Sequence, residues 1–138
     1  MKFVKTLICS GFFLVLNSTA FSQSLDTLPD KSTLPADVVQ VSASVPLMGE
    51  HWANPQTLPL GPIYCVHDGK VVCIEYMISQ QDFADGKSWP TLAGLTNLPS
   101  VNHVDIGFEP HGHEGYEIPH YDLHVFFITP EEKAKITE

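Results

Sequence analysis

The chain contains no arginine, and its seven lysines are outnumbered by sixteen aspartates and glutamates, giving a formal net charge of −9. Without guanidinium groups the usual bidentate clamp for carboxylate or phosphate is missing. Without a positive field, nucleic acid, an anionic membrane surface and phosphorylated substrates are poor partners. A cation, a small neutral ligand or plain solubility fits this charge balance. Cysteine is also scarce, at three residues, and no C-x-x-C pair occurs. The Gly-x-Ser-x-Gly nucleophile turn, the phosphate-binding loop and the His-Glu-x-x-His zinc helix are all missing. No acyl-transfer triad can be assembled, and the sequence assigns the chain to no enzyme class.

The longest apolar run is confined to the N-terminus. MKFVKTLICSGFFLVLNSTAFS carries Lys2 and Lys5, an apolar stretch near Leu7 to Leu16, and a small-residue end at Ala20-Phe21-Ser22. This is the pattern of a secretory signal peptide over residues 1–22. The stretch is shorter than the roughly 20 apolar residues that span a bilayer. Cys9 lies inside it, too early for a lipoprotein cleavage site. The expectation is a secreted or periplasmic protein with no membrane attachment after signal removal. About 116 residues with a net charge near −11 then remain, enough for one compact domain.

Residues 23–37, QSLDTLPDKSTLPAD, are polar and show no sustained period, which predicts a flexible linker. Residues 38–138 are expected to form one mainly β domain: a small antiparallel sheet or barrel-like fold with one or two short helices. Val38 to Val45 alternates like a strand. Residues 46–62 are rich in proline and read as an irregular connection. IYCVHDGKVVCIEYMIS is the best hairpin, turning at Asp68-Gly69. Its cysteines, Cys65 and Cys73, are candidates for a disulfide in an oxidising compartment. A plain two-residue turn would set Cys65 opposite Val72, whereas a longer, bulged turn would place both sulfurs on one face. Pairing therefore stays open at this point. Ser79 can cap a helical turn ending near Gly86. Thr129, Pro130 and Glu132 form a capping pattern for a short C-terminal helix.

The chemistry is concentrated near the C-terminus, where five of the seven histidines fall between His103 and His124. In PHYDLHVFFIT, His120, Asp122 and His124 alternate with Tyr121, Leu123, Val125 and Phe127, so the two sets face opposite sides of a strand. Residues 101–108 repeat the split, with His103 and Asp105 opposite Val104, Ile106 and Phe108. If the two strands pair with their apolar sets together and inward, their His/Asp faces must coincide on the other side. The connecting loop can then fold His111 or His113 over that patch.

Strand geometry limits which groups can share an ion. Residues two apart are about 6.8 Å apart and residues four apart about 13.6 Å. An imidazole holds a metal about 6.5 Å from its own Cα, so His120 and His124 on a straight strand barely reach a common ion. The candidate ligands are Asp122 and His124 first, then His120, His103 and His113, with His51 and Glu75 as additions. The third strand group could instead orient a ligand by accepting its second N–H. Imidazole with carboxylate suits Zn, Fe, Mn, Ni or Cu. Two other readings are a solvated sheet face and a buried polar network that specifies structure. On the functional side, a non-metal small-ligand or pH-sensing module and a self-assembling domain compete with metal binding, and a homo-oligomer is compatible with all of them.

The stretches PLMGEHW, GPIY, HDGKVV, EYM, HVDIGFEPHGHEG and PHYDLHVFF together resemble a bacterial family of exported domains of unknown function, typed on a hypothetical protein from a thermophile. The resemblance runs from about Val38 to Ile128. It implies a small β-rich domain with a His-rich strand at His120, Asp122 and His124, accompanied by His51, His103 and His113. Cys65 and Cys73 are not part of the family pattern, and no reaction comes with it.

Overall fold

The computed structural model describes residues 24–137, so the signal-peptide expectation for residues 1–22 lies outside the described residues. The central unit is the hairpin of β3 (Ile63–His67) and β4 (Lys70–Ser79), whose β-branched and aromatic residues favour extended backbone. Asp68 and Gly69 both have positive φ, 49° and 74°, which is the turn that matches the twist of the flanking strands. The register then shifts: Val66 pairs with Val71, but Cys65 pairs with Cys73, leaving Val72 as the extra residue of a bulge. That one residue turns both sulfurs to the same side, and the Cys65–Cys73 disulfide forms with the Cα atoms 5.0 Å apart. A two-residue turn and a bulge occur together, where the sequence suggested one or the other.

Four more strands complete the sheet: β1 (Val39–Val45), β2 (Gly49–Ala53), β5 (His103–Glu109) and β6 (His120–Phe126). The order is β1-β2-β3-β4-β6-β5, every pair is antiparallel, and β1 and β5 are its edges. The sheet is open, not barrel-like. Strand β2 lies within the segment expected to be an irregular connection. Its first residue, Gly49, has φ +86°, and a Cβ there would meet the Val66 carbonyl oxygen at 2.2 Å. Glycine thus lets β2 start hard against β3.

Two short helices follow the expected caps. In α1 (Gln80–Ala84) the Ser79 hydroxyl accepts from the Asp82 N–H. In α2 (Pro130–Lys133) Thr129 and Glu132 satisfy each other's backbone N–H groups. The stretch expected to be a flexible linker is instead docked. Leu28 is buried in the core, the Lys31 N–H donates to the Gly69 carbonyl at 2.8 Å, and the Val71 N–H donates to the Pro29 carbonyl at 2.9 Å. Leu25 and Leu34 pack against the same core, so three leucines give this segment the apolar anchor its overall polarity concealed.

Register assigns the faces. Tyr64, Ile74, Val125 and Val104 form one row, and Tyr76, Leu123 and Ile106 the next, on the apolar face. Leu92 and Leu95 of the segment after α1 pack on this side, where the Tyr76 hydroxyl donates to the Ala93 carbonyl. The opposite face carries the row Ala53, Ile63, Glu75, His124, Asp105, flanked by Met77 with Asp122 and by Ser79 with His120. This polar face is the more deeply buried one along β6. His120, Asp122 and His124 are 0%, 7% and 8% exposed, while Tyr121, Leu123 and Val125 are half-buried. The sequence separated the two sets correctly, and Leu123 and Val125 pack against the main core as expected, but the His/Asp set is buried as well instead of facing solvent. The His/Asp side is buried because the 110–119 loop, residues 46–48 and Lys133 of α2 all fold onto it.

Candidate metal centre

His120 sits wholly inside the protein, and its Nδ1–H donates to the Ile118 carbonyl at 2.6 Å. A carbonyl only accepts, so in the neutral ring the proton is on Nδ1 and Nε2 carries a bare lone pair. That Nε2 lies 3.2 Å from Nε2 of His113 and 3.1 Å from Oδ1 of Asp122. His113 is committed in the same way, with Nδ1 3.1 Å from the Glu114 carbonyl. Two lone pairs therefore confront each other beside a carboxylate oxygen that is buried with no hydrogen-bond partner. A cation or proton between them relieves this repulsion. Ligand atoms of a tetrahedral site with bonds of 2.0–2.1 Å are about 3.3 Å apart, close to both measured separations. The ligand atoms of His113, His120 and Asp122 all lie within 4.8 Å of one another.

The loop that delivers His113 is closed by reciprocal backbone hydrogen bonds between His113 and Tyr116. Gly112 makes the closure feasible, with φ +69° and only 2.3 Å between its notional Cβ and the Tyr116 carbonyl oxygen. Tyr116 then packs its ring against His120 at 4.6 Å between centroids. The histidine pair is thus held from three sides.

A second group adjoins the first. Glu75 on β4 is 2% exposed, and His51 and His124 approach it from two other strands. His51 Nε2 is 3.7 Å from Oε2 of Glu75, and His124 Nε2 is 3.6 Å from Oε1. His124 is aimed by Asp105, which accepts its Nδ1–H at 2.9 Å and in turn accepts from Lys133. Burial pushes the Glu75 carboxyl up to about 8, with the charge of Asp122 adding to the effect. Burial pulls His51 down to about 4, helped by His124 and His113. Burial likewise holds His124 below the usual imidazole range in spite of Asp105. The Asp122 carboxyl is raised by burial against the pull of His120 and its neighbours. For Asp105 burial works upward, but the Lys133 and His124 contacts outweigh it and lower the pKa. Burial in this interior therefore favours uncharged forms, while Asp105 at the rim stays ionised.

The structure brings together five of the sequence candidates, Asp122, His124, His120, His113 and Glu75, with His51 closing the far side. His103 is not among them. It stacks on Phe126 at 4.8 Å and 10°, one row away, with Nδ1 beside Asn102. His111 is exposed, and His67 pairs with Asp68 at the hairpin turn. Asp105 and Tyr116 complete the surroundings without having been chosen as ligands. The matching parity of Asp105 and His124 signals the former, whereas nothing in the sequence singles out Tyr116. Beside the cluster, an open depression of about 430 Å³ is lined by Met48, Asp105, Asp122, His124 and Lys133, among others.

No family model matches the chain, and no curated protein does. Among solved structures it is similar to a hypothetical protein from Thermus thermophilus, at 19% identity and a TM-score of 0.62, over 75% of this chain and 95% of that one. This likeness shows a shared fold alone. Among the described residues, no helix is long and apolar enough to cross a membrane.

Proposed function

We propose that the domain binds a divalent transition-metal ion through His113, His120 and Asp122, as an exported protein of the secreted or periplasmic space. The observation that carries this reading is the convergence of two bare Nε2 atoms and an unpartnered carboxylate oxygen at 3.1–3.2 Å around His120. The ligand types favour Zn, Fe, Mn, Ni or Cu over magnesium or calcium, which prefer oxygen. Ile118 and Glu114 act as the outer partners that fix each ring's tautomer. His124 and His103 leave this ligand set, the first because it turns to Glu75 and the second because it stacks on Phe126. The export reading rests on the sequence of residues 1–22.

The test is elemental analysis of protein purified without a histidine tag. Stoichiometric metal, lost on His120→Ala combined with Asp122→Ala, is the expected result. A metal-free protein that regains none from a Zn or Cu solution contradicts it. The lowered pKa values of half-buried His51 and buried His124 favour an acid sensor as the second reading. Absence of metal with stability that collapses below neutral pH would select that sensor. A changed oligomeric mass in the same variant would select self-assembly.

A further inference from the structure

Strand β5 is an edge of the sheet, with no strand on its outer side among the described residues. Edge strands are commonly blunted against further pairing by lysine, proline or a bulge. The other edge, β1, has such a device, since its register against β2 shifts between Gln40 and Ser44. β5 has none of the three. HVDIGFE contains no lysine or proline, and its pairing with β6 runs unbroken from His103 to Glu109. Its apolar side is open as well: Val104, Ile106 and Phe108 are 53%, 64% and 43% exposed, while Val125, Leu123 and Tyr121 opposite them on β6 are half-buried.

We infer that β5 pairs antiparallel with β5 of a second copy of this chain, joining the two sheets edge to edge about a twofold axis at Ile106. The strand's complementarity to itself is what names the partner. With the axis at Ile106 the pairing covers the whole of β5: Ile106 meets Ile106, Val104 meets Phe108 and His103 meets Glu109. Directly opposed residues share a side of the sheet with Cβ atoms about 4.5–5.5 Å apart, so apolar meets apolar and an imidazole meets a carboxylate. Asp105 meets Gly107, where a Cβ would touch nothing within 4 Å, so its carboxylate faces open space and no like charge. Asp105 is moreover already held by His124 and Lys133. Moving the axis one residue either way loses this match. At Asp105 it sets the two Asp105 carboxylates against each other, and at Gly107 it sets Asp105 against Glu109, both destabilising oppositions. In the matched register main-chain hydrogen bonds hold the copies together and the alternating side chains select them. The contact uses none of His113, His120 and Asp122, so it stands or falls apart from the metal reading.

Two measurements on the untagged protein test this. Light scattering coupled to size exclusion should give twice the chain mass for wild type, halved in Ile106→Lys, which sets two ammonium groups against each other on the axis. Ile106 is 64% exposed, so the substitution leaves the fold intact, and circular dichroism checks that it does. Under mild oxidation Ile106→Cys should cross-link into a covalent dimer, because its two copies meet on the axis within disulfide reach. Cys65 and Cys73 are already bonded to each other and do not compete. Val104→Cys should stay uncross-linked, since it faces Phe108 and its own copy lies about 13.6 Å further along the strand. A monomeric wild type at high concentration overturns the inference and leaves the edge to an extended peptide of another protein. So does a mass that Ile106→Lys leaves unchanged. Failure of Ile106→Cys to cross-link, or equal cross-linking of Val104→Cys, overturns it too.

Discussion

Replacing Glu75 with glutamine should stabilise the metal-free protein near neutral pH, although it removes a residue at the centre of the cluster. The folded-state carboxyl titrates at about 8, raised from 4.5 chiefly by burial at 2% exposure. Between those two values the folded protein holds a proton that the unfolded chain has released. Folding is therefore progressively disfavoured as pH rises through this window, by about 1.4 kcal/mol per unit. Glutamine keeps the shape, carries no charge and does not titrate. The advantage of Glu75→Gln over wild type should thus grow by about 3 kcal/mol between pH 4.5 and pH 7. Below 4.5 that pH-dependent gain disappears, because the glutamic acid is then neutral in both states. Urea unfolding of chelator-treated wild type and variant across this range measures the difference, and histidine contributions common to both proteins cancel. A stability difference that stays constant with pH, or a variant that grows relatively weaker as pH rises, would refute the reasoning. It would mean that Glu75 is ionised and favourably compensated without any metal.

The acid side should behave in the opposite sense. His51 falls from 6.5 to about 4 on burial, so the unfolded state takes up the extra proton first, and metal-free stability should drop as pH falls from 6.5 toward 4. His51→Asn should flatten this limb, and an unchanged slope in urea unfolding would contradict the assignment. Gly112→Ala should weaken zinc binding at the proposed site about tenfold or more, or about 1.4 kcal/mol, because the loop must open to relieve a 2.3 Å contact at positive φ. Calorimetric affinity equal to wild type would show that His113 is not held by that loop. Replacing both Cys65 and Cys73 with alanine should cost about 2–3 kcal/mol, the closure entropy of a short loop. Denaturant unfolding that matches wild type would argue against the disulfide's contribution.

Much of this architecture is readable from local chemistry. The Asp68-Gly69 turn, the Ser79 cap and the Thr129–Glu132 capping box specify their elements through nearby backbone hydrogen bonds. Period-two alternation on β5 and β6 likewise places His124 with Asp105 and His120 with Asp122 on one side. Alternation cannot say that the polar side is covered as well as the apolar one. That depends on the 110–119 loop and on residues 46–48, whose paths are set by long-range contacts. Strand β2 was hidden because GEHWA is short and follows a proline-containing segment, so neither length nor period marks it. A bulge was one of the two readings of this hairpin, but its place at Val72 was not legible, because Val71 and Val72 are chemically identical and only the register against Val66 tells them apart. Glu75 was recognisable as a charge in an apolar strand, but its role needed His51 and His124 to arrive from two other strands.

The central claim is that the rings and carboxylates of this buried face converge on metal. Anomalous diffraction from zinc-soaked crystals, recorded on both sides of the zinc absorption edge, tests it most directly. The account predicts a peak about 2.0–2.2 Å from His113 Nε2, His120 Nε2 and an Asp122 oxygen. Density confined to exposed residues such as His111, with none between His113 and His120, would contradict it.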